Sequence, residues 1–337
     1  MKPSIKNIAE LCKLNPSTVS RALNNKYGVK PETRKSVMEA AVELGYVPNL
    51  AARELVYKKG NLVCIIIPES DAEAQPAFFA MLPYMNRILR THGMETMIYA
   101  FDPYRYRQGE LMELVQKRNL RGCIVLPGFM KHHNIFNDIR TITTPCVVLE
   151  VSVNSEMCSS IHTDEVYGAY IATQHIIDFG HTRIGFINGP SNVQICEERM
   201  SGYKKAIENA KLILKDEDVV YSDFTGKGGG EAIITLLKQS PDLTAVFIAN
   251  DLMAMGAISK LSEEGYHIPG DISVVGFDGL FVSQYYNPPL TTIKNDDYTI
   301  AIQAAKSLMG IIEQNTVAEI RIKPELIYGK SVKRLTT

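Results

Sequence analysis

A chain of 337 residues, 45% apolar and 22% charged, is long enough for about two packed domains and too balanced in composition for a disordered one. No stretch approaches the ~18 consecutive apolar residues of a membrane span. The amphipathic Met1–Cys12 has no apolar signal core, and the six scattered cysteines (12, 64, 123, 146, 158 and 196) show no C-x-x-C spacing, so secretion, a disulfide framework and a zinc site are set aside in favour of reduced thiols in the cytoplasm.

The net charge of −1 conceals an asymmetry. Residues 1–60 hold eleven Lys and Arg against five acidic residues, whereas the remainder holds 25 against 32. A basic head on an acidic body is expected when one end of a chain meets phosphates.

From the N-terminus, Ile5, Ile8, Ala9 and Cys12 recur at i, i+3, i+4 and i+7, one stripe of a helix over Ser4–Cys12. Asn15 is a good N-cap and Pro16 suits the first helical position. A second helix is therefore expected over Pro16–Asn24, burying Val19 and Leu23 and carrying Ser17, Thr18, Ser20 and Arg21 on its other face. Pro31 opens a third helix, with Val37, Ala40, Ala41 and Leu44 inward and Gly45 as its C-cap. Three short helices with a tight turn between the first two form the helix-turn-helix pattern, whose second helix can enter a major groove. Arg21 can donate a bidentate pair to guanine, worth ~1–3 kcal/mol of discrimination, whereas Pro16 offers only apolar contact.

Beyond residue 61, strand-like runs alternate with helix-period segments. Strands are expected at Leu62–Ile67, Glu95–Ala100, Gly122–Leu126, Cys146–Val151, Ile184–Asn188, Val219–Tyr221, Ala245–Ile248 and Ile272–Gly276. Helices fit between them at Gly168–Phe179, Arg199–Ala210, Gly230–Gln239 and Leu252–Glu264. Such alternation implies parallel sheets covered by helices, and eight strands suit two sheets with a ligand cleft between them.

Two other classes compete. An enzyme on a nucleotide-binding fold would need G-x-G-x-x-G after the first strand, but Ile65-Ile66-Ile67 leads into Pro68-Glu69-Ser70. The run Gly226–Gly230 lacks P-loop spacing and is expected to relax a loop beside Phe224. His132, His133, His162, His175 and His181 show no metal spacing, with His181 read as a helix-end residue, and no metal or cofactor is expected. A free solute-binding protein would need an export signal and no basic head.

The segment S-I-K-N-I-A-E-L-C-K-L-N-P-S-T-V-S-R-A-L-N, with E-L-G-Y-V-P-N-L-A-A-R-E-L after it, resembles the head of the LacI/GalR family. The likeness continues in H-I-I-D-F-G-H-T-R-I-G-F-I-N-G-P (175–190), V-F-I-A-N-D-L-M-A-M-G-A (246–257), D-I-S-V-V-G-F-D (271–278) and P-P-L-T-T-I (288–293), spanning essentially the whole chain. It implies a non-enzymatic transcriptional regulator: an all-α helix-turn-helix head plus an α/β sensor of two lobes, periplasmic-binding-protein-like, with parallel sheets flanked by helices. The expected divisions are a head at 1–47, a hinge at 48–60 and a sensor at 61–337. The sensor's lobes would be 61–159 plus 291–322, and 160–290 plus 323–332.

By the same resemblance Pro16, Ser17 and Arg21, with Thr18 beside them, read bases, while Ser20 and Asn24 lie near phosphates. Asn49–Tyr57 is similar to the family's hinge helix, in which Leu55 wedges into the minor groove and Ala52 packs on the partner's hinge. Glu54 departs from the usual small polar residue there. Effector contacts are implied for Phe78, Phe79, Glu150, Arg199, Phe224, Asn250, Asp278 and Asn295. The effector is expected to be a sugar or sugar derivative, although the loop Glu69–Ala77 is about four residues long in excess and Glu150-Val151 replaces Asp-Arg. The implied partners are pseudo-palindromic operator duplex, the effector and a second copy of the chain, with repression the expected sense and activation the alternative. No trailing leucine heptad precedes Thr337, so no tetramerisation tail is expected.

Overall fold

The computed structural model describes residues 3–23, 27–46, 60–69, 76–130 and 132–335, the side chains of 76–78 excepted. Asn24, the expected hinge contacts Ala52 and Leu55, Glu54, and the Phe78 side chain lie outside the described residues. The chain divides into two compact units, Met1–Gly60 and Asn61–Thr337.

In the first unit, helices α1 (Ile5–Cys12), α2 (Pro16–Leu23) and α3 (Pro31–Glu43) pack around Ile8, Ala9, Val19, Ala22, Val37, Ala40 and Ala41. Local chemistry sets the helix ends. Asn15 Oδ1 accepts from Ser17 N at 3.3 Å and caps α2. After α3, Gly45 takes φ +62, its N–H donates to Val42 O, and Tyr46 N donates to Ala41 O, both bonds of a Schellman motif. Ala22 is the second fully buried residue of α2; Leu23, the expected one, is only half-buried and packs at the rim.

The second unit holds two six-stranded sheets. The first comprises β1 (Leu62–Pro68), β2 (Glu95–Phe101), β3 (Leu120–Val125), β4 (Cys146–Leu149), β5 (Cys158–Thr163) and β11 (Glu319–Ile322), ordered β11-β5-β4-β3-β1-β2 and parallel throughout. The second comprises β6 (Ile184–Asn188), β7 (Val219–Tyr221), β8 (Ala245–Ile248), β9 (Ser273–Asp278), β10 (Thr291–Lys294) and β12 (Glu325–Ile327), ordered β12-β10-β9-β8-β6-β7, with only β12 antiparallel. Helices α4 (Pro76–Thr91), α5 (Glu110–Arg118), α6 (Asn134–Thr141) and α11 (Asp297–Gln314) cover the first sheet. Helices α7 (Glu165–Asp178), α8 (Gln194–Asn209), α9 (Gly226–Gln239) and α10 (Asp251–Glu263) cover the second. Runs such as Leu62–Pro68 are apolar almost throughout because a parallel strand is buried on both faces.

The chain passes between lobes three times: after β5 at Asp164, between β10 and α11 at residues 295–296, and between β11 and β12 at residues 323–324. Two expected lobe boundaries therefore move. Residues 160–163 join the first lobe because β5 pairs with β4 from Cys146↔Cys158 onward. Residues 291–294 belong to the second lobe because β10 pairs with β9.

The glycine run also differs from expectation. It is not a loosened loop but the first turns of α9, capped by Thr225 Oγ1 accepting from Gly228 N. Its purpose is close packing: a Cβ on Gly256 of α10 would collide with Gly226 O. His181 lies past α7 and is buried, its ring nitrogens engaging Thr244 Oγ1 and Lys333 O at 2.9 Å each.

Candidate functional site

The outward side of α2 presents Pro16, Ser17 and Arg21 to solvent, with Thr18 and Ser20 half-buried beside them, while Val19 and Ala22 anchor the opposite side in the core. An α-helix with its side chains is ~10–12 Å across, a match to the ~12 Å width of a B-form major groove.

In the sensor, the expected effector residues gather at the carboxyl ends of strands, where open α/β sheets place their ligands. Glu150 follows β4, Phe224 lies just beyond β7, Asn250 beyond β8, Asp278 ends β9 and Asn295 follows β10. Glu150, Phe224 and Asp278 have φ of +62°, +69° and +104°. Left-handed backbone at non-glycine residues costs about 1–3 kcal/mol each and is held only where the surroundings enforce it. For Phe224 the enforcement is visible, since its ring packs so tightly on Gly189 that a Cβ there would overlap it.

Arg199, on α8, is the centre of the arrangement and is only 3% exposed. Its Nε donates to Glu165 Oε2 at 2.6 Å and its Nη2 to Glu165 Oε1 at 3.2 Å, while Nη1 donates to Ala249 O. Asp278 Oδ1 lies 3.6 Å from Nη2, and the guanidinium sits 3.9 Å from the centroid of the Phe277 ring. Burial works against this cation, but Glu165 and Asp278 more than offset it and raise its pKa. Glu165 opens α7 and was not anticipated from sequence; the available signal was that an inward-facing arginine needs a carboxylate partner.

The other groups are held locally. Glu150 Oε1 accepts from Thr163 N and Oγ1 at 3.0 and 2.9 Å. Its carboxyl is pushed well above the usual range by burial and by Glu165, with Thr163 and Arg199 opposing. Asp278 is likewise raised by burial, then by Asp251 and Glu165, against Arg199. Asn250 caps α10, its Oδ1 accepting from Met253 N at 2.8 Å and its Nδ2 donating to Phe224 O at 3.0 Å. Asn295 Oδ1 is buried without a hydrogen-bond partner. Phe79, on α4, is 55% exposed. Asp251, at the start of α10, is fully buried, accepts from Thr292 Oγ1 and Leu280 N, and is raised by burial to about 7.

A narrow crevice separates the lobes, with Phe129, Phe136 and Glu150 on one wall and Val193, Gln194 and Ile195 on the other; of the expected effector residues it is lined by Glu150 alone. The lobes touch where Asn192 Nδ2 meets Met130 Sδ at 3.6 Å. The larger furrow between α9 and α10, lined by Lys227, Lys238 and Lys260, contains none of the expected effector residues. Among the described residues no His, Cys, Asp and Glu group is arranged to hold a metal, and no helix is long and apolar enough to cross a membrane.

Residues 4–49 match the family of bacterial regulatory proteins of the lacI type, and residues 173–332 match the periplasmic binding protein-like domain. The HTH-type transcriptional repressor PurR of Haemophilus influenzae (strain ATCC 51907 / DSM 11121 / KW20 / Rd) is 31% identical over 340 residues, covering 98% of this chain and 99% of that protein. The complex of the transcriptional regulator CelR with cellobiose is similar in structure, with a TM-score of 0.74 and 27% identity over 98% of this chain and all of that one. The Lac repressor dimer bound to operator and the anti-inducer ONPF shares the fold, with a TM-score of 0.86 and 24% identity over 99% of this chain and all of that one. With a helix-turn-helix head, a two-lobed sensor and a relative of this similarity along its whole length, the chain belongs to the LacI family of DNA-binding transcriptional regulators.

Proposed function

We propose that the protein is a homodimeric repressor whose two heads read the halves of a pseudo-palindromic operator and whose sensor cleft binds a small carbohydrate that alters operator affinity. The single observation that carries the DNA reading is the two-sidedness of α2, with Arg21, Ser17 and Pro16 outward over a buried Val19 and Ala22. In this reading Arg21, Ser17, Thr18 and Pro16 meet base edges, Ser20 and Asn24 meet phosphates, and Ala52 and Leu55 form the minor-groove hinge. Similarity to a repressor along the full chain supports the sense of regulation, and similarity to a dimeric operator complex supports the assembly.

The effector reading rests on Asp278, Asn250, Asn295, Glu150 and Phe224 lying at or just past the carboxyl ends of strands, with Arg199 reaching Glu165 and Ala249 from α8; Phe78 and Phe79 of α4 are added from the resemblance. The cellobiose complex of a similar regulator supports a saccharide. Closure of the lobes around it would be coupled to DNA binding by ~1–3 kcal/mol, and the coupling must act equally in both directions.

Arg21→Ala tests the DNA half. Footprinting at matched ionic strength should show affinity for the operator reduced by about 1–3 kcal/mol and selectivity relaxed at one base pair of each half-site. Occupancy and selectivity equal to those of the unmodified protein would sink it. Removing residues 1–57 should abolish operator binding and leave effector binding intact.

A further inference from the structure

Resting on the reading of the cleft as the effector site, we propose that the effector is an uncharged or amine-bearing hydrogen-bond donor, and that sugar phosphates and sugar acids are rejected. The reason lies in the balance of donors and acceptors. Among the described residues one cation, Arg199, meets the carboxylates of Glu165 and Asp278, and the Glu150 carboxyl lies within its field. Its Nε and Nη2 are engaged by Glu165 at 2.6 and 3.2 Å, its Nη1 by Ala249 O, and Asp278 stands 3.6 Å from Nη2. Phe277 covers its face at 3.9 Å.

An oxyanion arriving at Arg199 would have to displace Glu165, a residue only 2% exposed, and leave that carboxylate buried beside a second negative charge. The Asn250 amide is committed as well, its Nδ2 holding Phe224 O at 3.0 Å. Acceptors, in contrast, are in surplus. Asn295 Oδ1 is buried and unpartnered, and the backbone N of Asn295 donates to the backbone carbonyl of Asp278 at 3.3 Å, so the two residues are neighbours at the ends of β10 and β9. A buried acceptor without a partner is unfavourable until a donor arrives, so an incoming O–H or N–H is rewarded where an oxyanion is not. Burial first, and neighbouring acids after it, displace the Glu150 and Asp278 carboxyls upward, so further negative charge is disfavoured here.

The test uses the full-length protein in thermal-shift and calorimetric titrations at constant ionic strength. Mono- and disaccharides, cellobiose among them, are offered in four matched sets: neutral sugars, amino sugars, sugar acids and sugar phosphates, with free nucleobases as a fifth. The expected result is binding confined to uncharged or amine-bearing molecules, with the acid or phosphate of the same skeleton at least ~100-fold weaker. Asp278→Asn and Asn295→Ala should each weaken the binder by about tenfold or more, each variant first shown to melt as a folded protein. An acid or phosphate bound as tightly as its neutral counterpart would overturn the charge rule while leaving carbohydrate sensing in place. A neutral nucleobase as the sole binder would overturn carbohydrate sensing and leave the rule. A neutral ligand indifferent to both substitutions would remove the cleft as its site, and silence from all five sets would overturn rule and reading together.

Discussion

At Arg199 the structure shows a buried ion-pair role, to which the proposed function adds a sensing one. A buried guanidinium with two carboxylate neighbours is an arrangement whose net contribution to stability is small, yet removal of one partner is severe because the other charges remain buried. Arg199→Ala should therefore lower stability by about 3–5 kcal/mol in denaturant titrations, while Arg199→Met with Glu165→Gln should recover most of that loss. Ligand binding abolished by Arg199→Ala alone is accordingly ambiguous, and Asp278 and Asn295 are the cleaner probes. Asp251 gives a prediction in pH. Its folded pKa of about 7 lies above its ordinary 3.8, so over pH 4–7 the folded protein keeps a proton that the unfolded chain has released. The associated stability is complete below about pH 4 and is lost as the pH rises to about 7, roughly 4 kcal/mol across that window. Melting curves of Asp251→Asn should be flatter than those of the unmodified protein between pH 4 and 7; parallel curves would show that Asp251 ionises normally. The candidate residues stand out in the sequence as residue types at motifs that resemble the family's. The pairing of Arg199 with Glu165 does not, because 34 residues separate them and nothing local to either marks the contact.

Among the elements, legibility followed hydrophobic contrast. Apolar runs such as Leu62–Pro68 and Ala245–Ile248 stood out within one or two residues of their observed limits. β5, Cys-Ser-Ser-Ile-His-Thr, did not, because its polar groups are satisfied inside the protein: Ser160 Oγ accepts from Val153 N and His162 Nε2 lies 3.1 Å from Ser152 Oγ. β11 and β12 are short, only half-buried and partly charged, edge strands with little apolar signal. The two lobe boundaries shifted because β5 and β10 were not separated from their flanks in the sequence. The glycines of α9 were misread for a related reason, since glycine marks a loosened backbone and a close helix approach alike. Gly256→Ala separates the two roles. A methyl group against a backbone carbonyl cannot be relieved by a rotamer change, so the substitution should destabilise the sensor by about 3 kcal/mol or more, the upper end for overpacking. A loss under 0.5 kcal/mol would mean that α9 and α10 part easily.

For the molecule as a whole, thiols report how the units open. Cys64, Cys123, Cys146 and Cys158 stand directly opposite one another on β1, β3, β4 and β5, a row of four across the middle of the first sheet, all in one buried cluster. Such a row invites a reading as a soft-metal or redox site, but burial pushes the Cys64 thiol up to about 12 and holds Cys158 above the ordinary range, and the Cys123 side chain together with burial raises Cys146. Thiolate is the reactive form, so these groups are inert while the lobe is closed. Cys196, buried in the second lobe, is likewise pushed up to about 12, whereas Cys12 in the head is half-buried with Sγ 3.7 Å from Ser36 O. A chromogenic disulfide reagent at pH 8 should therefore modify one thiol per chain promptly and five only after unfolding. The four thiols of the first sheet should appear together in one kinetic phase, because exposing any of them requires parting strands that all four hold in register. Cys196 needs only the second lobe to open and is free to follow a separate phase, one that a bound effector retards by holding α8 against the cleft. Prompt reaction of two or more of the row, with the sensor still folded by circular dichroism, would show that the first sheet opens locally and that its core is not one cooperative block.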